Sequence, residues 1–370
     1  MNFFHTHISP RARTLVQEVL ESGWVNEGPM TRRFETALAE RLGLSGPVAL
    51  NSGTAALHLA LAVAGVGPGD EVVLPAQTFV ATGLVVLMQG AKPIFADVDP
   101  LTGNLTAAGL ERALTSRTKA VIPVHWAGYP CDLDELHAVA GRAGTWRGGL
   151  AVVEDAAHAL GATYRGRPIG AVSRFTAFSF QAIKHLTTGD GGALSCLEPE
   201  DERQARARRW FGIDRERSPA SVLGEREYDL DVLGYKSHMN DLAAAVGLGN
   251  LEDFIGRLAR RRAIAARYRG ELSGVPGLTL PPLLPDRTHA FWLFPVLVEK
   301  REAFARALAN RGVPASVVHR RIDRHRLFGG ARTDLPGQAA YDARQISLPV
   351  HEGLTDGEVD TAIAAVRAGW

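Results

Sequence analysis

Between about residue 50 and residue 200, apolar residues gather into short runs separated by amphipathic stretches. EVVLP (71–75), PIFADVD (93–99), AVIPV (120–124), LAVVED (150–155) and RFTAFSF (174–180) are rich in β-branched and aromatic side chains, which predicts strands. Thr54–Ala64, Thr78–Gln89 and Leu133–Arg142 read as helices between them, and Gly and Pro mark the joints, as in GVGPGD (65–70). This alternation predicts a mainly parallel sheet covered on both faces.

After Gly234 the pattern changes. Met239 to Arg269 reads as one long helix or two joined ones, followed by a Pro-rich connection, PGLTLPPLLPDRTH (276–289). The strand FWLFPVLV (291–298), the helix Arg301–Arg311 and a terminal helix from Thr355 to Arg367 then suggest a second, smaller unit. We therefore expect an α/β chain with a large domain over 1–245, including an N-terminal arm, and a small C-terminal α/β domain over 246–370. No internal repeat or low-complexity tract interrupts it.

Composition narrows the function classes. A chain of 370 residues, 46% hydrophobic, can bury a large core. With 41 basic and 40 acidic side chains the formal charge is +1, so no bulk field draws it to nucleic acid or anionic lipid, and any anion must be held locally. Cys131 and Cys196 sit in neither a metal-ligand nor a redox spacing, which fits a reducing cytoplasm and gives no expectation of a metal. The start, MNFFHTHISPRARTLV, lacks the pattern of a secretory leader, and no run of about 18 apolar residues occurs. The expectation is a soluble cytoplasmic protein without a membrane segment.

Three segments carry candidate chemistry. In LNSGTAALHLALAV (50–63) a strand end runs through Asn51, Ser52 and Gly53 into a helix that starts near Thr54. Free amides at a helix start, beside a glycine and a hydroxyl, suit a phosphate monoester, although for this segment taken alone Ser52 or Thr54 as a plain helix cap is the stronger reading. In VVEDAAHALGA (152–162) a strand ends at Glu154 and Asp155. A carboxylate at that edge can face a ligand crevice and pair with a protonated pyridine nitrogen, or merely cap a helix. His158 reads equally as a packed core histidine. In FTAFSFQAIKHLTTGDGGALSC (175–196), Lys184 stands five positions after Ser179 and just before a Thr- and Gly-rich turn. A lysine in a loop after a strand is ordinarily a solvated charge. With these neighbours, Ser179 can bond a phosphate while Lys184 reaches an aldehyde, provided burial or a nearby cation lowers its pKa.

In that order the motifs resemble the DegT/DnrJ/EryC1/StrS sugar aminotransferases, a branch of the fold-type I pyridoxal-phosphate (PLP) enzymes with the aspartate-aminotransferase-like fold. The likeness runs through SGWVNEGPMTRRFETALAERLG (22–43), NSGTAALHLAL (51–61), GPGDEVVLPAQTFVAT (67–82), GAKPIFADVDP (90–100), PVHWAGYPCDLDEL (123–136), EDAAHALGA (154–162), FSFQAIKHLTTGDGGA (178–193) and LGYKSHMNDLAAAVGLGNL (233–251). The resemblance implies that PLP phosphate lies on the Gly53 and Thr54 backbone and the Ser179 hydroxyl, with Phe79 over the ring. It implies Asp155 at the pyridine nitrogen, His158 near the ring hydroxyl and Lys184 as the Schiff-base lysine. It also implies a homodimer in which Lys236 reaches across to the neighbour's phosphate. Two positions depart from the pattern: many relatives carry Gln at His158 and Asn at Lys236.

The implied reaction moves an amino group from L-glutamate to a keto-sugar, generally nucleotide-linked (dTDP, UDP or GDP), and TTGDGG leans toward a 4-keto-6-deoxy acceptor. Alternatives are a 3-keto sugar or keto-cyclitol, a sugar dehydratase of the same fold, or a non-catalytic regulator. The dehydratase branch has His in place of the lysine, whereas here the register FSFQAIK keeps Lys184, with His185 one position later. By resemblance, Pro29 and Met30 of GPM (28–30) and His319 contact the acceptor. The basic run HRRIDRHR (319–326) offers Arg320, Arg321 or Arg324 to a diphosphate, or is a solvated loop. GVGPGD as a dinucleotide-binding turn fails its context, since it follows a helix instead of a strand.

Overall fold

Each apolar run between residues 71 and 180 supplies a strand of one sheet in the computed structural model, which describes residues 1–143, 150–215 and 217–370. The strands, in chain order, are β1 (Pro47–Leu50), β2 (Glu71–Pro75), β3 (Lys92–Ala96), β4 (Thr118–Val121), β5 (Ala151–Asp155), β6 (Thr163–Tyr164), β7 (Arg167–Pro168), β8 (Phe175–Ser179), β9 (Gly192–Cys196), β10 (Leu278–Thr279), β11 (Arg287–Thr288), β12 (Phe294–Val298) and β13 (Gln345–Leu348). The central sheet has the order β1-β9-β8-β5-β4-β2-β3. Its pairs from β3 to β8 are parallel. β9 and β1 extend it antiparallel, in the pairs β8–β9 and β9–β1.

The helices are α1 (Pro10–Ser22), α2 (Pro29–Leu42), α3 (Gly53–Val63), α4 (Val80–Met88), α5 (Ala107–Ala113), α6 (Leu133–Arg142), α7 (Pro199–Arg208), α8 (Asp241–Leu251), α9 (Phe254–Leu272), α10 (Arg301–Asn310), α11 (Pro336–Arg344) and α12 (Asp356–Arg367). Leu15, Phe34, Leu136 and Leu248 from α1, α2, α6 and α8 share one core cluster. Leu57, Val85 and Ala205 from α3, α4 and α7 share another with the strand residues Val72, Leu74 and Val153. A sheet covered on both faces needs apolar residues at successive positions, which is why its strands read as unbroken runs.

A second antiparallel sheet, β10-β12-β13, packs under α9, α10 and α12 through Ile264, Tyr268, Phe304 and Val359. α9 serves both cores: Phe254 and Leu258 belong to the large one, and Ile264 to Leu272 belong to the small one. A third small sheet pairs the β6–β7 hairpin with β11, so the Pro-rich connection carries two short strands, β10 and β11.

Element ends shift from the sequence reading for local reasons. PIFADVD stops being a strand at Ala96 because Asp97 turns its carboxylate to the amides of Gly337 (3.0 Å) and Gln338 (2.8 Å) at the start of α11. FWLFPVLV starts as a strand only at Phe294, since Phe291 holds a left-handed φ of 52°. The stretch from Met239 breaks into α8 and α9 at Asp253, whose ψ of 7° leaves the helical range. Among the described residues, no helix is long and apolar enough to cross a membrane.

Candidate active site

The carboxyl ends of the parallel strands open onto a cavity of about 360 Å³, at the edge where ligands of such sheets bind. One wall is the start of α3. Ser52 is extended (φ −164°) and its hydroxyl accepts the Ala55 amide at 3.0 Å, so the cap is satisfied by this side chain. The first helical amides, at Gly53 and Thr54, have no intrahelical acceptor, and both residues line the cavity. A Cβ on Gly53 would stand 2.9 Å from the Cβ of Ser179 at the end of β8, so only glycine lets helix and strand close into this cradle.

β5 splits its two terminal acids between opposite faces, as alternation along a strand requires. Glu154 turns from the cavity and meets His125, 2.6 Å from carboxylate oxygen to Nε2. The His125 Nδ1 accepts the Cys131 amide at 3.0 Å, so Nε2 carries the proton and donates to Glu154. Asp155 lines the cavity. Its Oδ2 accepts the Thr82 hydroxyl at 2.8 Å and its Oδ1 accepts the Ala157 amide at 3.1 Å. Thr82 pairs in turn with Thr78 at 2.6 Å. Burial pushes the Asp155 carboxyl above the usual range, against these hydrogen bonds and the Lys184 charge.

Lys184 Nζ lies 3.8 Å from the Trp292 ring centroid. Burial pulls its amine down to about 7, partly opposed by Asp155, so both protonation states are populated near neutrality. His158 stacks on the same indole at 3.8 Å and 17°, and its buried Nδ1 has no partner. Burial, with the neighbouring Lys184, holds this imidazole well below its ordinary pKa, hence neutral. The His319 ring lies 5.0 Å from Phe79, which is half exposed, and burial with the Lys184 charge lowers its pKa to about 4.

Gly53, Thr54, Phe79, Asp155, His158, Ser179, Lys184 and His319 thus share one cavity. An amide-and-hydroxyl cradle, a buried carboxylate, an orphaned ring nitrogen and a lysine of depressed pKa fit pyridoxal phosphate. Other expected residues lie elsewhere. Met30 is buried in the core with its amide on Asp241 at 3.0 Å, and Pro29 is exposed along a separate groove. The Asp241 carboxylate also takes the Gly28 and Thr31 amides, which pins this turn to α8 and keeps it from the cavity of its own chain. Lys236 is exposed and does not line that cavity.

An adjoining groove of about 570 Å³ shares Thr78, Phe79 and His319 with the cavity and carries Arg320, Arg324 and Arg326. Arg320 pairs with Asp342 at 3.3 Å. Arg321 is not available to a ligand: it is buried, with its guanidinium forked onto Asp323 at 2.7 and 2.5 Å. Arg324 and Arg326 are exposed, with no ion-pair partner among the described residues. Thr82 and Trp292 escaped the sequence reading. Thr78 and Thr82 stand at the spacing of one helical face, a usable signal. Trp292 looked like any strand aromatic.

Residues 7–367 match the DegT/DnrJ/EryC1/StrS aminotransferase family. The chain is 40% identical over 364 residues to the spore coat polysaccharide biosynthesis protein SpsC of Bacillus subtilis, covering 95% of this chain and 92% of that one. Its structure is similar to that of the sugar aminotransferase CalS13 from Micromonospora echinospora, with 38% identity, a TM-score of 0.95 and full coverage of both chains. It is also similar to Spr1654 from Streptococcus pneumoniae in its PMP form, with 32% identity, a TM-score of 0.91 and coverage of 100% of this chain and 98% of that one.

Proposed function

The chain belongs to the DegT/DnrJ/EryC1/StrS aminotransferase family, and from that premise we propose that this PLP-dependent transaminase aminates a nucleotide-linked 4-keto-6-deoxy sugar with L-glutamate as donor. The observation that carries the reading is a lysine of pKa about 7 in one cavity with a buried carboxylate and the Gly53–Ser179 cradle. When bound, pyridoxal phosphate supplies an aldehyde that carries an amino group and a ring that takes up electron density.

Lys184 is the covalent anchor. With the cofactor bound, its amine would be placed to move a proton at the donor's α-carbon, and a pKa of about 7 suits it to act as both base and acid. Asp155, held by Thr82 and the Ala157 amide, would pair with the pyridine nitrogen. Neutral His158 would serve the cofactor's ring hydroxyl and Phe79 would cover its ring, since both line the same cavity. The Gly53 and Thr54 amides and the Ser179 hydroxyl would hold the phosphate, joined in a homodimer by Lys236 of the partner subunit.

The nucleotide-linked acceptor is argued from Arg320, Arg324 and Arg326, whose groove shares His319 and Phe79 with the cavity: a diphosphate held there would leave its sugar toward Lys184. A homodimer is argued from large apolar side chains left exposed, among them Trp24, Phe211, Val222, Leu223 and Leu233. Two buried free thiols suit a cytoplasmic setting.

Adding L-glutamate to the purified yellow enzyme should bleach its long-wavelength band, and a dTDP- or UDP-linked 4-keto-6-deoxy sugar should restore it. Bleaching by glutamine but not glutamate overturns the donor. Equal recovery with the free keto-sugar overturns the nucleotide linkage.

A further inference from the structure

The N-terminal arm brings together a group of ligands that the transaminase site does not use. His5 and His7 sit two apart in a segment without helix, and each offers a ring nitrogen within 4.8 Å of the other and of a Glu352 carboxylate oxygen. Glu352 is oriented for the purpose: Arg261 binds its Oε2 through Nε (2.9 Å) and Nη2 (2.8 Å). Its Oε1 lies 3.7 Å from Arg257, beyond hydrogen-bond range. The His7 Nε2 is buried without a hydrogen-bond partner, since Asp253 Oδ2, though 3.0 Å away, lies out of line. The His5 ring is held from behind by His351, stacked at 5.6 Å, and by Gly353, where a Cβ would come within 3.1 Å of the ring.

We propose that His5, His7 and Glu352 form a site for a divalent transition-metal ion of the zinc type, which clips the N-terminal arm to the segment after β13. Two imidazoles and one carboxylate are a borderline-soft donor set that suits Zn²⁺ or Co²⁺, with the remaining positions open to water. Arg261 acts behind the carboxylate as an orienting outer partner. The two guanidiniums oppose a cation, and Glu352 and Asp253 offset them, so binding is weaker than at a carboxylate-rich site. The clip has a consequence at the active site. Phe4, next to His5, stacks on Trp292 at 5.4 Å, and Trp292 carries both Lys184 and His158. None of this depends on the identity of the acceptor.

The test is metal content of the holoenzyme after equilibration with Zn²⁺ and removal of excess by gel filtration. One Zn²⁺ per chain is expected in the wild type, falling at least tenfold in His7→Ala and in the milder His7→Gln. Co²⁺ should give visible d–d absorption in the wild type that both variants lack, and Zn²⁺ should slow chymotryptic cleavage at Phe3 and Phe4. A wild type that retains no metal, or equal retention by variants that still respond to glutamate, overturns the proposal.

Discussion

The amine of Lys184 rests 3.8 Å from the centre of the Trp292 indole, on whose ring His158 also stacks at 3.8 Å. An aromatic face stabilises the ammonium form by cation–π attraction, while the surrounding burial disfavours it. Burial lowers the amine's pKa to about 7, with the Asp155 charge partly opposing it.

Cofactor uptake by the PLP-free enzyme should therefore rise with pH, with a midpoint near 7, because only the neutral amine is nucleophilic. Asp155 raises that pKa, so Asp155→Asn should move the midpoint to lower pH. Stopped-flow absorbance at a series of pH values measures both; a midpoint unchanged in the variant would refute the coupling.

Lys184→Ala should lose on the order of 10²–10⁴-fold in turnover from proton transfer alone. Borohydride reduction of the wild-type holoenzyme followed by peptide mapping should label the peptide that contains residue 184, and label found on another lysine contradicts the assignment.

Thr82→Val removes a hydrogen bond to a buried carboxylate. Such bonds contribute about 1.5–3 kcal/mol, so the glutamate half-reaction should slow by roughly tenfold or more while the fold persists. Single-turnover kinetics checks the rate and thermal unfolding checks the fold.

Gly53→Ala sets a methyl 2.9 Å from the Ser179 Cβ. The cradle must widen, so PLP should dissociate faster on dialysis, with the secondary structure by circular dichroism unchanged.

Arg324→Ala and Arg326→Ala should raise the KM for a nucleotide-sugar and leave the glutamate half-reaction intact, since both residues lie in the groove beyond Phe79 and His319. The proposed homodimer with shared sites predicts complementation as well: mixing Lys184→Ala with Lys236→Ala should restore part of the activity that each variant lacks alone. No recovery on mixing, with subunit exchange verified, would argue against Lys236 acting across the interface.

Local pattern alone determined much of this protein. The five apolar runs announced the five parallel strands, and Asp155, Ser179 and Lys184, which local pattern offered as candidates and the order of motifs singled out, line one cavity. Only the tertiary structure decided the rest. It set Trp292, 108 positions from Lys184 along the chain (292 − 184), against the amine. It turned Asp155 inward and Glu154 away to His125, locked Arg321 onto Asp323, and tied the Pro29–Met30 turn to Asp241. Secondary structure follows from side-chain period and backbone sterics, which neighbours in sequence dictate. Which polar group finds a partner, and so which one stays free for chemistry, depends on contacts between residues far apart in the chain.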